Sequence, residues 1–218
     1  MYDDAAHVGA TIDTLSDAGH DVVAVGSSYG GFVITEAAKG LTKAERATAG
    51  MPGPGGLIGL VYLASAAAEV GTTLGQLLAG RIPVPVSEHF EEDFLEPPPA
   101  DMAGKILRSE LKSAEEQSRY GAMMDVFSSR IYRDALTHAG WRTVPSTFVL
   151  GTMDKALEVA FAEEHVDAAM AALEAEGRGR MIEKVVLESD HLMMISQPDQ
   201  VAEILVEAAK HGQLGGNI

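Results

Sequence analysis

The sequence predicts an α/β fold: a mostly parallel sheet of about four strands flanked by helices, with a helical insertion. Short apolar runs alternate with segments of helical periodicity, an order that is typical of parallel sheets with right-handed crossovers. A glycine-rich turn follows the first apolar run, and a proline- and acid-rich segment interrupts the alternation between residues 69 and 141. We therefore predict a single domain over residues 1–218 that carries an insertion at 69–141.

Helix and strand patterns alternate up to residue 63. The predicted elements are a helix that ends at Gly19, a buried strand over 21–25, a helix over 32–39 that stops at Gly40, a short helix after Thr42 and a buried strand over 57–63. The two strands are short apolar runs. Thr42 and Glu45 fit a capping box, in which an N-cap side chain and the third helical residue each accept a backbone N–H of the other.

The alternation resumes after the insertion. The predicted elements are a strand over 146–150, a helix over 157–176, a strand over 184–187 and a last helix that opens at Pro198. The insertion shows helical patterns, with a second capping box at Ser113 and Glu116, and no strand alternation. We interpret residues 69–141 as a helical lid over the sheet. For residues 88–101, which are rich in proline and acidic side chains, a disordered linker is the alternative.

Composition excludes several classes of function. The formal net charge is −16, from 16 basic and 32 acidic residues, which argues against nucleic acids and anionic membranes as partners. The chain has no cysteine, so disulfides, thiolate nucleophiles and cysteine-ligated metals are excluded. No signal peptide and no membrane-spanning apolar stretch is visible. We expect a cytoplasmic protein that needs no metal and no organic cofactor.

The most informative motif is Gly-Ser-Ser-Tyr-Gly at residues 26–30. It lies between a predicted strand and a predicted helix, which is the setting of a nucleophile elbow. Such a turn crowds the backbone, so small residues are needed beside Ser28, and it lifts the serine hydroxyl above the sheet edge. The next helix directs its N-terminal N–H groups at the same place. An oxyanion formed by attack of Ser28 would therefore meet the backbone N–H of Tyr29. An ordinary glycine-rich turn is the alternative.

A serine nucleophile needs a base, and histidine is the usual one because its pKa lies near working pH. Of the seven histidines, only His191 lies in a loop just after the predicted last strand. Asp154 follows the third predicted strand and would orient the imidazole. Reactive groups of parallel sheets gather beyond the carboxyl ends of strands, as Ser28, Asp154 and His191 all do. The alternatives are a polar loop residue for His191, a helix N-cap for Asp154, and Asp190 as a rival acid.

Three segments resemble a known family. Residues 25–31 resemble the G-H-S-Y-G-G elbow of the α/β-hydrolase superfamily, with Ser27 where histidine is common. Residues 141–147, followed by Asp154, resemble the strand that delivers the catalytic acid, and residues 189–198 resemble the histidine loop of plant methylesterase and hydroxynitrile-lyase relatives. The chain is thus similar, over nearly its whole length, to small esterase-like members with a helical lid. Lyases of that group tend to carry lysine where this chain has Leu192, which favours the esterase branch.

The resemblance implies a serine hydrolase that cleaves a carboxylic ester or a similar small acyl substrate. Ser28 would attack, His191 would relay the proton, Asp154 would orient His191, and the Tyr29 N–H would hold the oxyanion. The lid would supply an apolar pocket, for which Met123, Met124 and Phe127 are the candidates. For these three residues, ordinary core packing is the alternative.

The chain departs from the family pattern before the elbow. Family members place several strands there, with an H-G loop that supplies a second oxyanion donor, whereas 25 residues precede Gly26 here. We expect the strand over 21–25 to have an unpaired edge, through which the chain would form a homodimer. The alternative functions are a non-catalytic or weakly active hydrolase remnant that serves as a binding and association module, and a hydroxynitrile-lyase-like enzyme.

Overall fold

The computed structural model describes residues 1–79 and 92–215. Its strands are β1 (Asp21–Ser27), β2 (Gly56–Leu63), β3 (Phe94–Leu95), β4 (Phe127–Ser128), β5 (Ser146–Gly151) and β6 (Ile182–Leu187). β1, β2, β5 and β6 form a sheet in the order β1-β2-β5-β6, and all three pairings are parallel. The prediction of a four-stranded parallel sheet is confirmed, with strand ends that differ from the predicted ones by at most two residues.

Ten α-helices and one 3-10 helix accompany the strands in the described residues. They are α1 (Tyr2–Asp17), α2 (Tyr29–Ala37), α3 (Lys43–Thr48), α4 (Leu74–Leu77), α5 (Ala100–Leu107), α6 (Ala114–Gly121), α7 (Arg130–Arg133), the 3-10 helix Gly140–Arg142, α8 (Val159–Ala175), α9 (Met193–Ser196) and α10 (Pro198–Gly215). α2 begins earlier than predicted because Ser28 itself is its N-cap residue. None of these helices is long and apolar enough to cross a membrane.

Helices cover both faces of the sheet, as the flanking-helix prediction requires. On one face, Ile12 of α1, Ile34 of α2 and Val166 of α8 join the core. On the other face, apolar side chains of α10 pack against the sheet together with Met193 of α9. All eight residues of β2 are buried, which explains why a continuous apolar run, rather than an alternating one, marks this strand in the sequence.

The two capping boxes differ in the structure. The Thr42 hydroxyl accepts the Glu45 N–H at 3.2 Å, and the Glu45 carboxylate accepts the Thr42 N–H at 3.1 Å, so this box is complete. At Ser113, the hydroxyl accepts the Glu116 N–H at 3.2 Å, and this is the half of the box that forms. The sequence pattern nevertheless identified the start of both helices correctly.

The segment 69–141 departs from the sheet and returns to it. Its two ends meet where the indole N–H of Trp141 donates to the Ala68 carbonyl at 2.9 Å. Between them, the described part holds helices α4 to α7, and α5 and α6 pack closely as a pair. It also holds the antiparallel ladder of β3 and β4, two residues each, which the sequence did not predict. Such a short ladder carries no alternation to detect.

The linker alternative falls partly outside the described residues. Residues 88–91 and the prolines at 83 and 85 lie outside the described residues. Residues 92–101 are described, and they include β3 and the first two residues of α5. Leu95 is buried at 3% exposure, whereas Phe94 beside it is 65% exposed. The described part of the segment is therefore held to the protein at Leu95 and is exposed at most other positions.

Parallel pairing brings the carboxyl ends of the four strands to one rim. Ser27 is level with Leu63, Leu63 with Val149, and Val149 with Val185. Every predicted site residue follows one of these strands by four residues or fewer. The fold therefore gathers the predicted chemistry at a single edge, which is the usual place for ligands in sheets of this kind.

Candidate active site

Ser28 occupies a strained turn between β1 and α2. Its backbone has φ 52° and ψ −121°, a conformation that side-chain-bearing residues rarely adopt. Its N–H donates to the Leu63 carbonyl at 2.9 Å, which ties the turn to the end of β2. A Cβ on Gly26 would collide with the backbone of Gly30, and a Cβ on Gly31 would collide with the Ser65 side chain. Glycine is therefore needed at both positions for the turn to close.

Tyr29 is the first residue of α2. The first N–H groups of a helix have no intrahelical acceptor and lie at the positive end of its dipole. The Tyr29 N–H is thus of the kind that stabilises an anion beside Ser28. The phenol of Tyr29 donates to Asp4 at 2.6 Å, and burial together with this carboxylate raises the pKa of Tyr29 well above its usual range. The phenol therefore stays protonated and neutral.

Asp154 and His191 are joined by a hydrogen bond. His191 Nδ1 lies 2.8 Å from Asp154 Oδ2, and the two residues are 4% and 3% exposed. The second carboxylate oxygen of Asp154, Oδ1, accepts the N–H groups of Ala156 and Leu157, each at 2.8 Å. The capping alternative and the catalytic interpretation of Asp154 therefore describe two oxygens of one carboxylate, and they do not exclude each other.

A cavity of about 300 Å³ lies over the rim. Ser28 and His191 both line it, and His191 is hydrogen-bonded to Asp154, so the structure brings the three predicted residues into one region. Its other polar lining residues are Tyr29, Ser65 and Tyr132. The rest of the lining is apolar and comes from Phe32, Ala64, Ala66, Leu74, Leu77, Leu78, Pro98, Met102, Ala103, Ile106, Leu107, Met124, Phe127, Ile131, Ala156 and Leu157.

Two of the three predicted pocket residues line the cavity and one does not. Met124 and Phe127 line the cavity. The prediction for Met123 is wrong, because this side chain is 78% exposed. It lies in the turn after α6, where consecutive side chains point in different directions, so only one of the two neighbouring methionines can face inward.

Several cavity residues were not predicted from the sequence. Ala64 and Ser65 follow β2 directly, and Ala64 adopts a positive φ of 49°. Their position after a buried strand was a usable signal, because every strand of a parallel sheet ends at the same rim. The contribution of α4, through Leu74 and Leu77, had no comparable signal, since it depends on how the insertion folds back.

Asp190, the rival acid, is used elsewhere. It is completely buried, and its Oδ2 accepts the Nε–H of Arg108 at 2.9 Å. Burial lowers the pKa of Arg108, but the hydrogen bond and charge of Asp190, together with Glu110 and Tyr120, outweigh burial, and the net pKa is raised. Arg108 therefore stays charged at 4% exposure. Among the described residues, no cluster of three or more histidine, aspartate or glutamate side chains is arranged to hold a metal.

Comparisons with known proteins agree with this architecture. A model of the alpha/beta hydrolase family matches residues 1–204. Alpha/beta hydrolase nvfD of Aspergillus novofumigatus (strain IBT 16806) is 30% identical over 210 residues, which are 95% of this chain and 77% of the relative.

Solved structures share the fold at low identity. A pyrethroid hydrolase from Sphingobium faniae JZ-2 superposes with a TM-score of 0.62 at 16% identity, over 91% of this chain and 74% of the other. Polyneuridine aldehyde esterase superposes with a TM-score of 0.55 at 16% identity, over 87% and 71%. The resemblance inferred from the elbow and the histidine loop is confirmed: the chain belongs to the alpha/beta hydrolase family.

Proposed function

We propose that this chain is a serine hydrolase that cleaves a carboxylic ester or a similar small acyl compound. One observation carries the proposal. A serine held in a strained turn and a histidine bonded to a buried aspartate line the same cavity. Ser28 is the proposed nucleophile, His191 the base and Asp154 the orienting acid. The hydrolase names of the relatives support the same class of reaction.

The proposed reaction follows from the positions of these groups. The Asp154 carboxylate accepts the Nδ1–H of His191, which leaves Nε2 to take a proton. Nε2 removes the proton of Ser28 as Oγ attacks the carbonyl carbon of the ester. The carbonyl oxygen becomes an oxyanion that the Tyr29 N–H stabilises. The alcohol leaves with the proton from Nε2, and water then hydrolyses the acyl-enzyme by the same steps.

The cavity suggests what kind of ester fits. Its lining is mostly aliphatic and aromatic, and its polar groups, apart from His191, are hydroxyls. A charged acyl or alcohol group would lose its hydration there without a partner. A volume of about 300 Å³ suits a small, neutral, apolar ester.

Covalent labelling tests the proposal. A fluorophosphonate reacts with activated serines, and we expect it to label the folded protein at Ser28. Hydrolysis of p-nitrophenyl butyrate should fall on the order of 10³-fold or more in Ser28→Ala. Ser27→Ala is the matched control, because this neighbouring serine belongs to β1 and does not line the cavity. Equal labelling of the wild type and Ser28→Ala would refute the proposal.

A binding and association module is the second candidate. The observation that favours it is the position of β1, which has a partner strand on one side only among the described strands. A chain without turnover that forms a stable dimer would support this candidate. A monomer that hydrolyses the ester would dismiss it.

A further inference from the structure

Arg108 connects the insertion to the loop that carries His191. Its Nε–H donates to Asp190 Oδ2 at 2.9 Å, and Asp190 directly precedes His191. The other oxygen of Asp190, Oδ1, accepts the N–H of Leu192 at 3.1 Å. One buried carboxylate therefore binds the guanidinium with one oxygen and the backbone just beyond His191 with the other. Asp190 thus fixes the chain on both sides of His191.

The insertion also binds the loop that carries Asp154. The hydroxyl of Ser109 donates to the backbone carbonyl of Met153, which directly precedes Asp154. Arg108 and Ser109, which are consecutive in the insertion, thus bind the residues that directly precede His191 and Asp154. Because the loops follow different strands, a single rigid segment that contacts both can set the distance between them.

The position of Arg108 is itself defined by the insertion. Its Nη2 donates to Glu110 at 3.1 Å, and its guanidinium lies over the ring of Tyr120, 4.4 Å from the centroid. Its backbone carbonyl accepts the Gln117 side chain at 3.2 Å. The cation is therefore anchored on the segment from Arg108 to α6, and the histidine loop is what it positions.

We propose that Arg108 is a positioning residue, which through Asp190 holds the His191 loop where the imidazole bonds Asp154 and lines the cavity beside Ser28. The proposal rests on the proposed function. Neither Arg108 nor Asp190 is among the described residues that line the cavity, so neither touches the substrate. Their effect on the reaction must pass through the histidine.

A simpler role makes a different prediction. Ile106 and Leu107, which precede Arg108, line the cavity. If Arg108 only fastened this end of α5, its loss would disturb substrate binding and raise KM. If it positions His191, its loss lowers kcat and leaves KM nearly unchanged. The split between kcat and KM therefore separates the two roles.

The experiment compares Arg108→Met and Asp190→Asn with a matched control, Arg46→Met. Arg46 is also buried, also pairs with two carboxylates, Asp13 and Asp17, and joins α3 to α1 instead of lying near the rim. For each variant we would measure kcat and KM for p-nitrophenyl butyrate, the melting temperature, and the far-downfield proton NMR resonance of the hydrogen shared by His191 and Asp154. This resonance does not require turnover.

We expect kcat to fall about 10²-fold in Arg108→Met, since a misplacement of about 1 Å has this effect, with KM within about twofold. The shared-proton resonance should shift or broaden. Asp190→Asn, which keeps the shape and the acceptor for the Leu192 N–H, should show the same loss even if Arg108→Met fails to fold. Arg46→Met should melt at a lower temperature and keep the wild-type kcat and resonance.

Three outcomes would overturn the proposal: a raised KM with an unchanged kcat in Arg108→Met, a wild-type kcat and resonance in Asp190→Asn, or equal loss of kcat in Arg46→Met. Failure of the proposed function has a separate signature. In that case the wild type shows the resonance without turnover, and the resonance alone still compares the variants.

Discussion

Asp154 illustrates how one side chain serves the fold and the site together. Its Oδ1 accepts two backbone N–H groups at the turn after β5, and its Oδ2 accepts the ring N–H of His191. The backbone contacts fix the carboxylate, so that the bond to His191 has a defined direction. A carboxylate that only neutralised charge would not need this anchoring.

We therefore expect Asp154→Asn to separate the two roles. The amide oxygen can still accept the N–H groups of Ala156 and Leu157, so the free energy of unfolding should change by about 1 kcal/mol or less. The amide NH₂ would face His191 Nδ1 and move the ring proton to Nε2, which then cannot accept the Ser28 proton. Ester hydrolysis should fall about 10⁴-fold, as expected for a wrong tautomer.

Steady-state kinetics and urea unfolding measure the two effects. Asp21→Asn is the control, because Asp21 makes an ion pair with Lys43 at the surface; it should keep full activity. An Asp154→Asn protein that unfolds but retains kcat per folded molecule would contradict the assignment of roles.

At the scale of elements, the elbow depends on a close approach between β1 and α2. A methyl group at Gly26 would overlap the backbone of Gly30, whereas a methyl group at Gly30 would meet nothing within 4 Å. Gly26 lies in β1 and Gly30 in α2, on either side of Ser28, and the space around the two glycines differs. Alanine at each position therefore tests whether the close approach at Gly26, and not the glycine content of the segment, determines the shape of the elbow.

We expect Gly26→Ala to lower the free energy of unfolding by about 1–3 kcal/mol and to abolish fluorophosphonate labelling, because the backbone must move where Ser28 is held. Gly30→Ala should fold as well as the wild type or up to about 1 kcal/mol better, since alanine suits a helix, and should label normally. Urea unfolding and the labelling rate check both. Similar behaviour of the two variants would show that crowding does not shape the elbow.

The same scale shows what the sequence could predict. Ser28, Asp154 and His191 each follow a short apolar run within a few residues, so a local pattern was enough to find them. Arg108 and Asp190 are separated by 82 positions, and no local pattern around either residue indicates that the two form a pair. The ladder of β3 and β4 has no sequence pattern either, because each strand contributes two residues. Tertiary contacts alone create these features.

At the scale of the whole molecule, the described sheet has two end strands. β2 and β5 are buried along their length, whereas β1 and β6 lie at the ends of the described sheet. Val25 is 43% exposed on this strand. An edge strand presents unpaired backbone groups, and an exposed apolar side chain adds to its tendency to pair with another strand.

We propose that two copies of this chain associate through β1, and that Val25→Lys prevents it. A lysine at an exposed edge position brings like charges together across the pair and opposes edge-to-edge contact. Analytical ultracentrifugation should show a dimer for the wild type and a monomer for Val25→Lys. Val206→Lys is the control, since Val206 is an exposed valine of α10. Because Ser28 lies at the end of β1, ester hydrolysis measured on the same samples shows whether pairing affects the elbow. A wild-type monomer, or a dimer unaffected by Val25→Lys, would refute association through this edge.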